Sequence, residues 1–122
     1  MPRFVILRHD PPDGTQRPVH WDFMLESGNR LRTWALQEEP RPGATIAAVL
    51  LTDHRTAYLD YEGPVSRNRG TVTRWDHGTY ATVRESDAIW QIRLNGSRWS
   101  GIADLRRDAE NPDRWDVEFS AG

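Results

Sequence analysis

Turn signals recur along this chain so closely that no long amphipathic helix fits between them. They fall at residues 10–14 (DPPDG), 27–29 (SGN), 38–43 (EEPRPG), 76–78 (DHG), 95–96 (NG) and 111–112 (NP). Proline fixes φ, glycine supplies positive φ, and Asn and Asp close turns with their own side chains. What remains between the signals is a series of short apolar or alternating runs. These predict strands over residues 4–8, 19–25, 31–36, 70–75, 79–84, 88–94, 98–105 and 114–119. Residues 44–51 are apolar with three alanines; Thr45, Ile46 and Val49 favour strand over helix. Residues 53–63 read as a loop entering another strand. The tight turn at 76–78 and the Asn95-Gly96 hairpin are expected to separate consecutive strands. No repeat of fixed period, linker or charge block is visible. The expectation is an all-β, mainly antiparallel, compact closed or partly open barrel with short helical or loop excursions, spanning residues 1–122 as one domain.

Composition narrows the chemistry. The 122 residues include no cysteine, so disulfides and thiolate ligands are excluded and any metal must be held by nitrogen and oxygen. Net charge is −2, which gives no global basic field for nucleic acid. Every one of the 16 basic residues is arginine, so no lysine can act as nucleophile, base or phosphate clamp. A GC-rich genome accounts for that bias, and bidentate phosphate recognition is the functional alternative. Six tryptophans fit a β-rich core better than exposed stacking platforms. The apolar run Phe4 to Leu7 is too short for a signal peptide or a membrane span. A soluble, cytoplasmic monomer with no membrane contact is expected.

Four histidines are present, and two of them bracket the first turn cluster. His9 ends the first predicted strand. His20 and Asp22 stand two apart on the next, so strand alternation puts them on one face. Two imidazoles and a carboxylate suit manganese, iron or zinc, with positions left open for water or substrate. Spacing alone equally fits a hydrogen-bonded strand histidine. His54 follows the apolar 44–51 run and reads as a general acid, phosphate donor, metal ligand or plain loop histidine. Tyr58 reads as a proton donor to an anion or as a rim aromatic. His77 is explained by its turn. No Gly-rich phosphate loop, Walker sequence or nucleophile elbow is present, so no side-chain nucleophile stands out.

At these residues the sequence resembles the 3′-phosphoesterase domain of bacterial ligase D, the end-joining repair ligase. The resemblance runs through residues 3–9 (RFVILRH), 20–26 (HWDFMLE), 31–36 (LRTWAL), Asp53-His54, 58–63 (YLDYEG), 70–80 (GTVTRWDHGTY), 92–96 (IRLNG) and 99–105 (WSGIADL), in family order. It implies a β-barrel with a manganese site, other divalent ions being possible. It implies that His9, His20 and Asp22 hold the metal and that catalytic His54 and Tyr58 face the scissile phosphate. The implied activity is removal of a 3′-phosphate or 3′-terminal ribonucleotide at a primer–template junction in DNA end repair. The implied partners are nucleic-acid 3′ ends and end-joining proteins such as ligase, polymerase and Ku.

The departures fall at the phosphate. Met24 stands where the family usually has arginine, on the same strand face as His20 and Asp22. The family's lysine after the Trp-Ala-Leu segment is absent from Gln37-Glu38-Glu39. The Gly-rich loop before residue 70 is shortened to 66–69, and the loop between His9 and His20 is longer. Arg67 and Arg69 are the candidates to restore positive charge there. The departures leave two further readings open: a weakened or inactive module that binds strand ends, and a phosphoesterase for a different substrate.

Overall fold

The structure is a computed structural model and describes residues 1–121. Ten strands form one antiparallel sheet: β1 (Arg3–Asp10), β2 (His20–Ser27), β3 (Arg30–Leu36), β4 (Thr45–Leu50), β5 (His54–Arg55), β6 (Gly63–Pro64), β7 (Thr71–Glu85), β8 (Ile89–Gly96), β9 (Ser100–Arg107) and β10 (Arg114–Ser120). The order β1-β2-β3-β4-β10-β9-β8-β7 closes on itself because β7 also pairs with β1. The result is an eight-stranded barrel, which has no unpaired edges. The short strands β5 and β6 lie off this ring, paired with β3 and β7. Thr56–Leu59 forms the single 3₁₀ turn among the described residues. No helix is long and apolar enough to cross a membrane.

Alternation splits β1, β2 and β3 between two clusters. Phe4 and Ile6 of β1, with Trp21, Phe23 and Leu25 of β2, point into the barrel and meet Trp34, Trp90, Trp115 and Phe119. Trp75 and Trp99 pack against this interior from its margin. Arg32 stacks on Trp34 and Trp90, with its guanidinium carbon 5.2 and 4.6 Å from the two rings. The opposite faces of β1 to β3 present Val5, Leu7, Met24 and Leu31 outward. There Leu59 and Val65 cover them, and with Val72 of β7 these residues form a second buried cluster, with Tyr58 packed alongside.

That covering belongs to the excursion 51–70. It is tied down by Arg3 to Asp60 at 2.7 Å, by the Arg74 backbone N–H donating to Glu62 at 2.8 Å, and by Val65 N–H donating to the Gly70 carbonyl at 2.8 Å. The ion pair is solvent-exposed, and exposed pairs contribute little. The apolar cluster therefore carries the attachment. Residues 53–63, expected as a loop entering a strand, form the two-residue β5 and the 3₁₀ turn before entering β6 at Gly63.

Two expected turns are displaced. Residues 76–78 do not turn, and β7 runs unbroken through them. Asp76 is buried and its carboxylate accepts the backbone N–H groups of His77, Arg98 and Trp99, so the residue that signals a local turn instead holds a distant one. Gly78 lets the Asn95 carbonyl approach to where a Cβ would lie only 2.0 Å away. The β1–β7 register slips between Ile6 and Leu7, a bulge that absorbs one residue within the strand. The Asn95-Gly96 pair also stays in strand. The chain reverses at 97–99, where Gly96 N–H donates to the Trp99 carbonyl at 3.0 Å.

Candidate metal centre and cleft

Antiparallel pairing sets His9 directly opposite His20 and Leu7 opposite Asp22. His9, His20 and Asp22 all project from the outer face, beyond the Val5–Leu7–Met24 patch. One ligand atom from each lies within 4.8 Å of the others. His9 Nδ1 is 3.1 Å from Asp22 Oδ2, His20 Nε2 is 3.2 Å from Asp22 Oδ1, and the two imidazole centroids are 4.6 Å apart.

Asp22 is 3% exposed. Burial pushes its carboxyl up, but the adjacent His20 and His9 outweigh burial and hold it below the ordinary value of 3.8. The bond to Asp22 raises the His9 imidazole above 6.5 against the opposing effects of burial and of the Arg17 charge. His9 Nε2 lies 2.6 Å from the Arg69 carbonyl. A proton on Nε2 donates there and leaves Nδ1 facing the cluster, the arrangement by which a second partner orients a metal-binding histidine.

This donor set fits a divalent ion. Asp22 Oδ1 is buried, yet its alignment to His20 leaves it without a hydrogen bond. Such an orphaned carboxylate oxygen is costly unless a cation meets it. Two nitrogens and a carboxylate, with space above them, leave positions open for substrate.

The space is a cleft with two recesses. The first, about 300 Å³, includes Pro11, Arg17, Pro18, His20 and Gln37. The second, about 250 Å³, includes Met24, Asp53, Arg55 and Tyr58. His9, Asp22, His54 and Arg69 line both, so His9 and Asp22 lie on their common floor, with His20 on the side of the first recess.

His54 is held by β5, whose partner is Leu31 of β3. Its Nδ1 is 2.9 Å from the Thr52 carbonyl, so Nδ1–H donates there and Nε2 is the nitrogen left for other work. The Tyr58 ring stands edge-on to His54 with centroids 5.7 Å apart, and Tyr61 stands edge-on to Tyr58.

The structure thus gathers His9, His20, Asp22, His54 and Tyr58 around one cleft, although they come from three separate parts of the sequence. With this geometry in view, the match to known proteins is direct. Residues 9–107 match the family of DNA ligase D 3′-phosphoesterase domains. The chain belongs to the DNA ligase D 3′-phosphoesterase domain family. It is 33% identical over 121 residues to the multifunctional non-homologous end joining DNA repair protein LigD of Mycobacterium tuberculosis, covering 92% of this chain and 15% of that protein. It is 31% identical over 109 residues to LigD of Pseudomonas aeruginosa, covering 81% of this chain and 12% of that protein. The chain therefore corresponds to a small part of the length of these ligase D proteins.

The two arginines singled out from the sequence are placed differently from each other. Arg69 lines both recesses, but its guanidinium turns back to donate to the Ser66 carbonyl at 2.8 Å and to Ser66 Oγ at 3.1 Å. Its contribution to the 3′-phosphoesterase-like floor is its carbonyl, which meets His9. Arg67 is exposed at the loop tip with φ of 63° and lines neither recess. Met24, in place of the usual family arginine, is 1% exposed and buried under Leu59 and Val65. Sequence reading missed Arg17 and Arg55, which line the first and second recess. A signal for Arg17 was available: it lies between His9 and His20 and directly precedes Pro18.

Proposed function

We propose that this chain is a divalent-metal phosphoesterase acting on the 3′ ends of nucleic-acid strands, removing a 3′-phosphate or a 3′-terminal ribonucleotide during end-joining repair. The observation that carries the reading is the convergence of His9, His20 and Asp22 on the floor of a cleft that His54 also lines. Membership of the ligase D 3′-phosphoesterase family supports it.

In this reading His9 Nδ1, His20 Nε2 and the Asp22 carboxylate hold the ion, and manganese suits this nitrogen–oxygen set. When bound, such an ion supplies Lewis-acid polarisation of the phosphoryl oxygens. Asp22 enters as carboxylate, because its neighbours keep it ionised. The Arg69 carbonyl keeps the His9 ring turned inward. The Thr52 carbonyl takes the Nδ1–H of His54, so Nε2 is the nitrogen that faces the anion, and it donates to a phosphate oxygen or the leaving group when His54 is in its imidazolium form. The Tyr58 hydroxyl donates to the same anion from the second recess. Pro11 and Leu51 wall part of the first recess beside His20. Strand ends in end-joining repair, with ligase, polymerase and Ku acting on the same ends, are the partners this reading implies.

The test is phosphate release from a 3′-phosphorylated primer–template with manganese supplied. Turnover that disappears in His20→Ala and Asp22→Ala is the expected result. Strand-end binding without turnover in the parent protein would instead identify a binding module, a reading favoured by the apolar Met24 beside the cluster.

A further inference from the structure

The cleft has a cation problem. Strand β2 carries His20 and Asp22 to its floor, and its next outward residue is the buried, apolar Met24. A phosphate arriving at the second recess therefore meets no cation from the strand. Arg69 does not supply one directly, since its guanidinium is engaged by Ser66.

Two other arginines line the cleft, and both are uncommitted. Arg3, Arg8, Arg32, Arg41 and Arg98 are each paired with a carboxylate. Among the described residues Arg17 and Arg55 form no ion pair and donate no side-chain hydrogen bond. Arg55 sits in the recess that holds Met24, His54 and Tyr58. Arg17 sits in the recess that holds His20. The two recesses meet at the floor, so the two arginines lie on different sides of it.

Neither arginine is carried on an unconstrained segment. Arg55 is in β5, paired with Arg30 of β3. Arg17 precedes Pro18, which confines it to extended backbone. Upstream, a turn closes with Thr15 N–H and Oγ1 both donating to the Pro12 carbonyl, at 3.3 and 2.8 Å. Constraint of this kind lowers the ordering cost of gripping a ligand.

We infer that this chain grips its anionic substrate through two arginines held outside β2, with Arg55 receiving the terminal phosphate of a strand end and Arg17 the adjoining phosphodiester. The assignment rests on the strand-end reading above. It makes the substrate a strand whose last two phosphates straddle the floor, one in each recess. The forked guanidinium suits both groups, and a terminal phosphate monoester offers it an additional anionic oxygen.

Binding in the presence of a chelator isolates this grip from turnover. The ligands are fluorescent single strands ending in a 3′-phosphate or a 3′-hydroxyl. A third strand ends in a 3′-phosphate and has an uncharged methylphosphonate at the adjoining linkage. The parent protein is expected to prefer the 3′-phosphate over the 3′-hydroxyl about tenfold. Arg55→Ala should erase that preference, and Arg55→Lys should restore part of it. Arg17→Ala should weaken the 3′-phosphate strand about as much as the methylphosphonate weakens it for the parent. The methylphosphonate should then cost Arg17→Ala nothing further. Arg106→Ala, which removes an exposed arginine on β9, should match the parent. A preference that survives Arg55→Ala, or a methylphosphonate penalty unchanged in Arg17→Ala, overturns the assignment. Equal parent affinity for both natural strand ends overturns it too. Phosphate release with manganese decides the phosphoesterase reading separately, so either can fail alone.

Discussion

His9 of β1 and Asp22 of β2 meet on a cross-strand diagonal, with Nδ1 3.1 Å from Oδ2, and each alters the other's protonation. The raised His9 contributes stability that is complete below 6.5 and lost as pH rises through its folded value. The depressed Asp22 contributes stability that is present above 3.8 and lost as pH falls through its own folded value. In metal-free protein the pair therefore acts fully between 3.8 and 6.5. Denaturant unfolding with chelator should show a stability difference between the parent and His9→Asn near pH 5 that shrinks near pH 8. A difference independent of pH would refute the pairing.

A metal must displace the proton that His9 Nδ1 directs at Asp22. Manganese affinity should therefore rise with pH through the raised His9 value and then level, with proton release on binding. Calorimetry in buffers of different ionisation enthalpy reads that proton directly. His20→Ala and Asp22→Asn should each weaken manganese by more than about a hundredfold, since even outer partners of ligands are worth 10–100-fold.

Gly70 has φ of 95°, and a Cβ there would lie 2.0 Å from the Asp10 carbonyl oxygen. Gly70→Ala should destabilise the protein by about 1–3 kcal/mol. It should also weaken manganese binding, because it displaces the Arg69 carbonyl from His9. Lower thermal stability with unchanged metal affinity would separate the loop from the metal centre.

Met24→Arg places a longer, charged side chain in a buried apolar cluster. The expected cost is about 1–3 kcal/mol from overpacking, seen as a lower Tm in chelator. If the guanidinium reaches the second recess, phosphate release should rise despite this cost. Lower stability together with lower turnover would mean that the recess is already shaped around Met24.

His54→Ala should reduce the rate of phosphate release by about 10²–10⁴ if His54 works as a general acid. Tyr58→Phe keeps the ring that packs beside Leu59 and should cost about tenfold, the worth of one hydrogen bond to a charged group. Equal effects of the two substitutions would assign them a shared structural task.

Much of this fold could be read from the chain because its strands are short, alternate regularly and are well punctuated. The convergence of His9, His20 and Asp22 was readable for the same reason, since pairing an HxD strand against a neighbour ending in histidine leaves little geometric freedom. Asp76 and Asn95-Gly96 misled because their turn chemistry is local, whereas the Asp76 carboxylate is occupied by backbone groups more than 20 residues away. Arg55 was hidden because a cation beside a histidine has no periodicity to mark it. Arg69 lines the cleft, but its local bonds to Ser66 could not be anticipated from composition.

The closed barrel keeps its core and its cleft on opposite faces of the same two strands. In β1 the even-numbered Phe4 and Ile6 serve the core and the odd-numbered Val5, Leu7 and His9 serve the outer face; in β2 the parity is reversed. Where the outer face carries the cleft rather than the buried Val5, Leu7 and Met24, as from His20 to Asp22, substitutions at adjacent codons therefore fall on different traits. One alters how firmly the protein folds and the next alters what it binds, so selection can remodel the cleft residue by residue while the interior stays fixed.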